Sequence, residues 1–276
     1  MAKVIITAIH EEARPLIEKI GLKKDPHAQR IPLYRRGDTC LVVSGTGKVK
    51  SAIATTFALA NIESPENTIV INFGLCGCHD TQRPLGELVF INKITDAATK
   101  RDFYPEIILK HNLREASLTT FDNHVLKGRA PVSSDMVDME ASGFFPSASA
   151  FIPLENIYCL KLISDHLEDI KLDNPMIREK IETRMDALMG VINSGSKLNS
   201  RSTPIQGDDI SILNQLCEVL KLTITQRHQL QDYATGYIIR HQKGLDLLHP
   251  YCKQTVKNKA DRNRLFKKIT HGLQSQ

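Results

Sequence analysis

The sequence predicts an α/β domain over residues 1–194, built on a mainly parallel or mixed sheet with helices on both faces, and an all-helical module over 205–276. Three observations carry this expectation. Apolar, β-branched runs alternate with segments of helical spacing as far as Asp165, the pattern of strands joined by helices. A Ser/Gly/Asn/Pro cluster over 193–204 then interrupts the chain as a linker. Beyond it only helical periodicity remains. The 276 residues, 41% hydrophobic and 24% charged, match a soluble globular protein with room for one ordinary domain and a smaller one.

Val4–Ile9 is a continuous apolar run that reads as a strand, and Glu11–Ile20 follows with helical spacing and Pro15 in its first turn. The pattern recurs as strand Cys40–Ser44, helix Val49–Asn61 and strand Thr68–Phe73, which ends at Gly74. Leu85–Ile94 and Ala116–Phe121 read as strands, Met136–Ala150 as a helix and Ile157–Ile163 as a buried strand. Met176–Ile192 carries Ile177, Ile181, Met185, Leu188 and Ile192 on one face, marking an amphipathic helix that closes the domain. In the tail, Ile210–Leu220, Thr225–Ile239, Leu245–Val256 and Arg262–Leu273 are expected helices.

The N-terminal apolar run is short and meets His10, Glu11 and Glu12, so it reads as a buried strand and not as a signal peptide. A cytoplasmic protein is expected, and six scattered cysteines in largely apolar surroundings suit reduced, buried thiols. A metal site at Cys76-Gly-Cys78-His79 would need a second ligand pair at zinc-site spacing, and none follows. The net charge of +5 is uneven: from Gly195 onward 13 Lys/Arg stand against 6 Asp/Glu, leaving 23 against 25 before it. A basic tail of this kind is either a solvated helical face or a surface for an acidic partner such as nucleic acid.

Ligand sites of open α/β sheets lie beyond the carboxyl ends of strands. Glu11 and Glu12 follow the first strand, Glu140 lies in the Val-Asp-Met-Glu-Ala run, and Asp165 follows Ile157–Ser164. Each alone could be a solvated carboxylate at a helix start. Two glycine-rich turns, Ser44-Gly-Thr-Gly-Lys48 and Asn72-Phe-Gly-Leu-Cys-Gly77, stand at further strand ends. The first is not a triphosphate-binding P-loop, which needs Gly and Ser/Thr where Val42 and Val49 stand.

Together and in this order, Ala8-Ile-His-Glu-Glu12, Ser44-Gly-Thr-Gly-Lys-Val49, Ile71-Asn-Phe-Gly-Leu-Cys-Gly77, Leu85-Gly-Glu-Leu-Val89, Asp138-Met-Glu-Ala141 and Ile163-Ser-Asp165 resemble the nucleoside phosphorylase family. The resemblance is strongest to its 5'-methylthioadenosine/S-adenosylhomocysteine nucleosidases and covers roughly residues 1–192. It implies a three-layer α/β/α fold with a mixed, partly closed sheet, and cleavage of the N-glycosidic bond of a purine-type nucleoside. It implies a homodimer or higher homo-oligomer, and neither a metal nor an organic cofactor. It makes Asp165 the acid at the purine N7, which must hold or share a proton at working pH. Glu140 would hold the ribose hydroxyls with Met139 packed beneath, and Glu12 would activate water. Ser164, Gly74 and Phe121 would complete the substrate site, and Phe103 would reach a neighbouring subunit's site. Such a division of labour suits an oxocarbenium-like transition state.

The chain departs from the family pattern in two places. Phosphorylases use Arg and Ser to hold phosphate where Asn72 and Leu75 stand here, which favours water as nucleophile over phosphate. The span from Phe121 to Asp138 is short, leaving Phe121 and His124 as the candidates to stack on a base. The expected function is therefore a purine nucleosidase, with a phosphate-dependent phosphorylase or a degenerate nucleoside-binding protein as the alternatives.

Overall fold

The computed structural model describes residues 2–275 apart from 29, 61, 63–66, 129–133, 169–172, 199–204 and 206. The chain divides into two compact units, Met1–Asn199 and Ser200–Gln276. The first runs β1 (Ala2–Thr7), α1 (His10–Ile20), β2 (Lys23–Lys24), β3 (Leu33–Arg36), β4 (Thr39–Val43), α2 (Lys48–Ala60) and β5 (Thr68–Cys78). It continues through β6 (Leu88–Asp96), β7 (Asp102–Phe103), β8 (Arg114–Thr120), β9 (Met136–Asp138), α3 (Ala141–Ser149), β10 (Ile157–Asp165), α4 (Asn174–Glu182) and α5 (Met185–Leu198).

The sheet is mixed, and β5 is its hub. Strand β5 pairs in parallel with β1 and β10 and antiparallel with β9. Because β10 also pairs with β6, β6 with β8 and β8 with β9, the pairing closes into a ring through β5. On the other side β1 continues to β4, β3 and β2 as an open sheet. Alternate side chains of β1 enter different cores: Val4 and Ile6 meet Ala54, Ala58, Phe144 and Phe145 of α2 and α3. Ile5 joins Ala13, Leu16, Ile177, Ile181 and Leu188 of α1, α4 and α5. The period-two pleat thus produces the three layers. Each fully buried Leu, Ile or Phe contributes about 1.5–3 kcal/mol relative to exposure.

Several elements differ from expectation. Strand β5 does not stop at Gly74 but runs to Cys78, so Asn72–Gly77 is strand and not a turn. The expected helix from Met136 opens instead as β9 and becomes α3 only at Ala141, because Met136–Asp138 completes the sheet against β5 and β8. The helix expected over Met176–Ile192 is two, capped at Thr183, with one continuous apolar face. The short polar strands β2, β3 and β7 carry too little periodicity to read. Of the expected linker, residues 193–198 end α5, while 199–204 lie outside the described residues.

The second unit holds α6 (Asp208–Val219), α7 (Ile224–His241), α8 (His249–Cys252) and α9 (Lys259–Ser275) around Leu216, Leu220, Leu230, Ala234, Leu245, Ile269 and Leu273. Helix α7 starts with a capping box in which Thr223 and Gln226 satisfy each other's backbone N–H. The helix expected over Leu245–Val256 is only a 3-10 turn and the short α8. Pro250 lacks the N–H that a continuing helix needs and starts a new one. No described helix is long and apolar enough to cross a membrane.

Candidate active site

A cavity of about 300 Å³ opens where β1, β5, β9 and β10 end, lined among others by Glu12, Leu75, His124, Met139, Glu140, Ser164 and Asp165. Five of the expected site residues therefore share one cavity. Gly74, Phe121 and Phe103 are not among its lining residues.

Glu12 lies in the first turn of α1 and folds back over the strand end. Its Oε2 accepts from the Ala8 and Ile9 N–H groups at 2.8 and 3.2 Å, and its Oε1 from the Leu75 N–H at 2.8 Å. Burial raises its pKa against the opposing pull of those donors and of Lys161. Gly74 acts beneath it: a Cβ there would lie 2.9 Å from Glu12 Oε1, so glycine leaves the space the carboxylate fills.

Glu140 precedes α3. Its Oε1 accepts from the Gly47 N–H at 2.9 Å, across 93 residues of sequence. Gly47 has φ +107°, a conformation that side-chain-bearing residues rarely adopt, and it aims this N–H into the site. Burial first, then the neighbouring Asp138 charge, raise the Glu140 pKa to about 7.

Asp165 ends β10 after a register shift relative to β5. Its Oδ1 accepts from the Leu167 N–H at 2.8 Å. Ser164 Oγ lies 2.6 Å from Asp165 Oδ2 and 3.0 Å from the Cys76 carbonyl oxygen, so its single hydrogen can serve one of them at a time.

Two buried charged groups beside the cavity escaped the sequence reading. Lys161, 1% exposed in the middle of β10, pairs with Asp138 Oδ2 at 2.8 Å. Burial lowers its pKa, but Asp138, Cys159 and Glu140 together outweigh burial and hold it charged. The only sequence signal was a lysine inside the apolar run Tyr158-Cys-Leu-Lys-Leu-Ile163. Asp138 also accepts from Thr120 Oγ1 at 2.6 Å and the Ala141 N–H at 2.9 Å, fixing the turn that carries Met139 and Glu140.

Phe121 is corrected as a lining residue: it packs behind the cavity wall against Val125, Val137 and Leu167, while His124 reaches the cavity. Phe103 packs locally, 5.9 Å from the Phe145 ring and with Arg101 5.5 Å from its own. Asn72 is buried in the sheet and donates to the Ile6 carbonyl, away from the cavity. No arginine lines the cavity among the described residues, and no group of three or more potential metal ligands occurs among them. A larger cavity of about 650 Å³ borders α1 and α4, but its arginines Arg14 and Arg178 are both paired with Glu18.

A mixed sheet with a closed ring of strands and helices on both faces is an α/β fold that known proteins share. Residues 3–134, a little under half of the chain, match the family model of the phosphorylase superfamily. The match ends before Glu140 and Asp165. Among solved structures, the fold is similar to 5'-methylthioadenosine nucleosidase of Arabidopsis thaliana, at 17% identity and TM-score 0.58, covering 70% of this chain and 96% of that one. It is also similar to the 5'-methylthioadenosine/S-adenosylhomocysteine nucleosidase of Colwellia psychrerythraea in complex with adenine, at 20% identity and TM-score 0.56, covering 72% and 96%. The S-adenosylhomocysteine nucleosidase of Streptococcus pyogenes gives 18% identity and TM-score 0.55, covering 72% and 97%. No curated protein matches the sequence.

Proposed function

We propose that the first unit hydrolyses the N-glycosidic bond of a purine-type nucleoside. The observation that supports this most is the convergence of Glu12, Glu140 and Asp165 on one cavity at the strand ends. In this reading Asp165 delivers a hydrogen bond or proton to the purine, making the base a better leaving group. Glu140 accepts from the ribose hydroxyls and stabilises positive charge on the sugar, and Glu12 orients and deprotonates water. Each placed acid or base contributes about 10²–10⁴ in rate. Met139 and Ser164 shape the pocket, and His124 takes the base-side position first assigned to Phe121.

Water is the nucleophile in this proposal, because Lys161 is tied to Asp138 and no arginine among the described residues lines the cavity to bind a phosphate dianion. The test is to incubate the full chain with adenosine, inosine, guanosine, 5'-methylthioadenosine and S-adenosylhomocysteine, with and without phosphate, and to measure free base. Base release independent of phosphate supports hydrolysis. Strict phosphate dependence supports a phosphorylase, and tight binding without release supports a degenerate nucleoside-binding protein.

The reading extends to a cytoplasmic homo-oligomer, and all six cysteines are free and buried, as suits a reducing compartment. For the second unit we propose nucleic-acid binding through α9, whose Lys259, Arg264, Lys267 and Lys268 are exposed. Salt-sensitive DNA or RNA binding by the full chain, lost in Arg264→Glu/Lys267→Glu/Lys268→Glu, is the expected result. Equal binding by both proteins, or none by either, contradicts it.

A further inference from the structure

Glu140 is held from two directions, by its own turn into α3 and by the 45–48 turn whose Gly47 N–H it accepts. Both segments lead to a single acceptor. Asp96, the last residue of β6, receives Lys48 Nζ at 2.9 Å and the Ser142 hydroxyl at 2.7 Å on the same oxygen, Oδ2. Lys48 directly follows Gly47, and Ser142 lies two residues beyond Glu140. The other oxygen, Oδ1, serves its own turn, accepting from the Ala98 N–H, the Thr99 N–H and Thr99 Oγ1 at 3.1, 2.7 and 3.0 Å.

Packing agrees with this division. A Cβ at Gly143 would fall 2.1 Å from the Lys48 carbonyl oxygen, so α3 and the 45–48 turn meet backbone to backbone. The side chains of Asp96 and Lys48 are 10% and 17% exposed, so their charge-assisted hydrogen bond is largely shielded from water. Lys48 also pairs with Asp122 at 2.8 Å, but Asp122 is 61% exposed and more fully screened. Asp96 does not line the cavity.

We propose that Asp96 is a positioning residue for Glu140, clamping with Oδ2 the two segments that fix the Glu140 carboxylate. The functional half of the proposal rests on Glu140 holding the ribose; the clamp itself is a statement about geometry. Loss of either arm leaves Gly47 and Glu140 free to separate, so the carboxylate loses its fixed distance from the substrate hydroxyls.

The experiment uses the full chain and three variants, Asp96→Asn, Lys48→Met and Ser142→Ala. The asparagine keeps a carbonyl for the 96–99 turn and replaces the accepting Oδ2 with a donating amide. Hydrogen exchange at the Gly47 amide reads its bond to Glu140 without reference to catalysis. Kinetics are compared on a ribonucleoside and on its 2',3'-dideoxy counterpart, which lacks the hydroxyls that Glu140 would hold. Gly47 exchange is expected to accelerate about tenfold in each variant while the amides of β1 and β5 stay protected. KM for the ribonucleoside is expected to rise about three- to tenfold, the effect of one weakened hydrogen bond, with KM for the dideoxy substrate unchanged.

Unchanged Gly47 exchange in all three variants overturns the clamp. Equal rises in KM on both substrates overturn it as well, because they show Asp96 supporting the fold in general. If exchange accelerates but the wild-type protein cleaves no nucleoside, the clamp stands and the glycosidic reading fails.

Discussion

Lys161 Nζ lies 2.8 Å from Asp138 Oδ2, with the two side chains 1% and 0% exposed. The ion pair sits directly under the turn that carries Glu140, and Asp138 spends its remaining acceptor capacity on Thr120 and Ala141. Removing one partner strands the other charge. Lys161→Met is therefore expected to cost about 3–5 kcal/mol of stability, measured by urea denaturation. Adding Asp138→Asn, which removes the stranded charge, should recover part of the loss. A single variant within about 1 kcal/mol of wild type contradicts the assignment, since that is the scale of an exposed pair.

The raised Glu140 pKa, about 7 against an ordinary 4.5, makes a signed prediction for stability. Between these values the folded protein holds a proton that the unfolded chain has lost. Stability therefore falls as pH rises from about 4.5 to about 7 and is flat with respect to this group above that range. Glu140→Gln removes the slope, at about 1.4 kcal/mol per unit at most. Denaturant melts of both proteins across this pH range check it, and parallel stability curves contradict it. Catalysis should run the other way, with kcat/KM rising through pH 7 as Glu140 of the free protein ionises.

Gly74→Ala tests the seat of Glu12. The added Cβ would lie 2.9 Å from Glu12 Oε1 and 3.2 Å from its carboxyl carbon, so the carboxylate must shift from the position in which it accepts from the Leu75 N–H. Base release is expected to fall at least tenfold, for a stability loss of about 1–3 kcal/mol from overpacking. Turnover at the wild-type rate would remove Glu12 from the mechanism.

The sequence made the strand and helix alternation legible because β1, β4, β6, β8 and β10 each keep an apolar core run. It hid the length of β5, since Gly74 and Gly77 read as turn residues when they are strand residues cleared for Glu12 and for Leu167. That Glu12, Glu140 and Asp165 would come together in one cavity was readable because strand ends and family order both point to them. Lys161 was not, because a lysine is an unexpected member of a buried strand and its partner, Asp138, is 23 positions away. Phe121 was misplaced because the direction of a side chain just past a strand end depends on the turn, which the sequence pattern does not show. Asp96 was invisible for a related reason: its partners, Lys48 and Ser142, come from α2 and α3 and meet only in the folded chain.

Hydrolysis at the sugar carbon is read out by turnover in ¹⁸O-labelled water in the presence of phosphate. Mass spectrometry of the products, for wild type and Asp165→Asn, should show free base and a free sugar carrying one ¹⁸O atom from the wild type. The variant should bind the nucleoside with little change in Kd and release base at least a hundredfold more slowly, the scale of one lost acid. Recovery of sugar 1-phosphate, no base from any nucleoside offered, or an Asp165→Asn protein as fast as wild type would contradict the account.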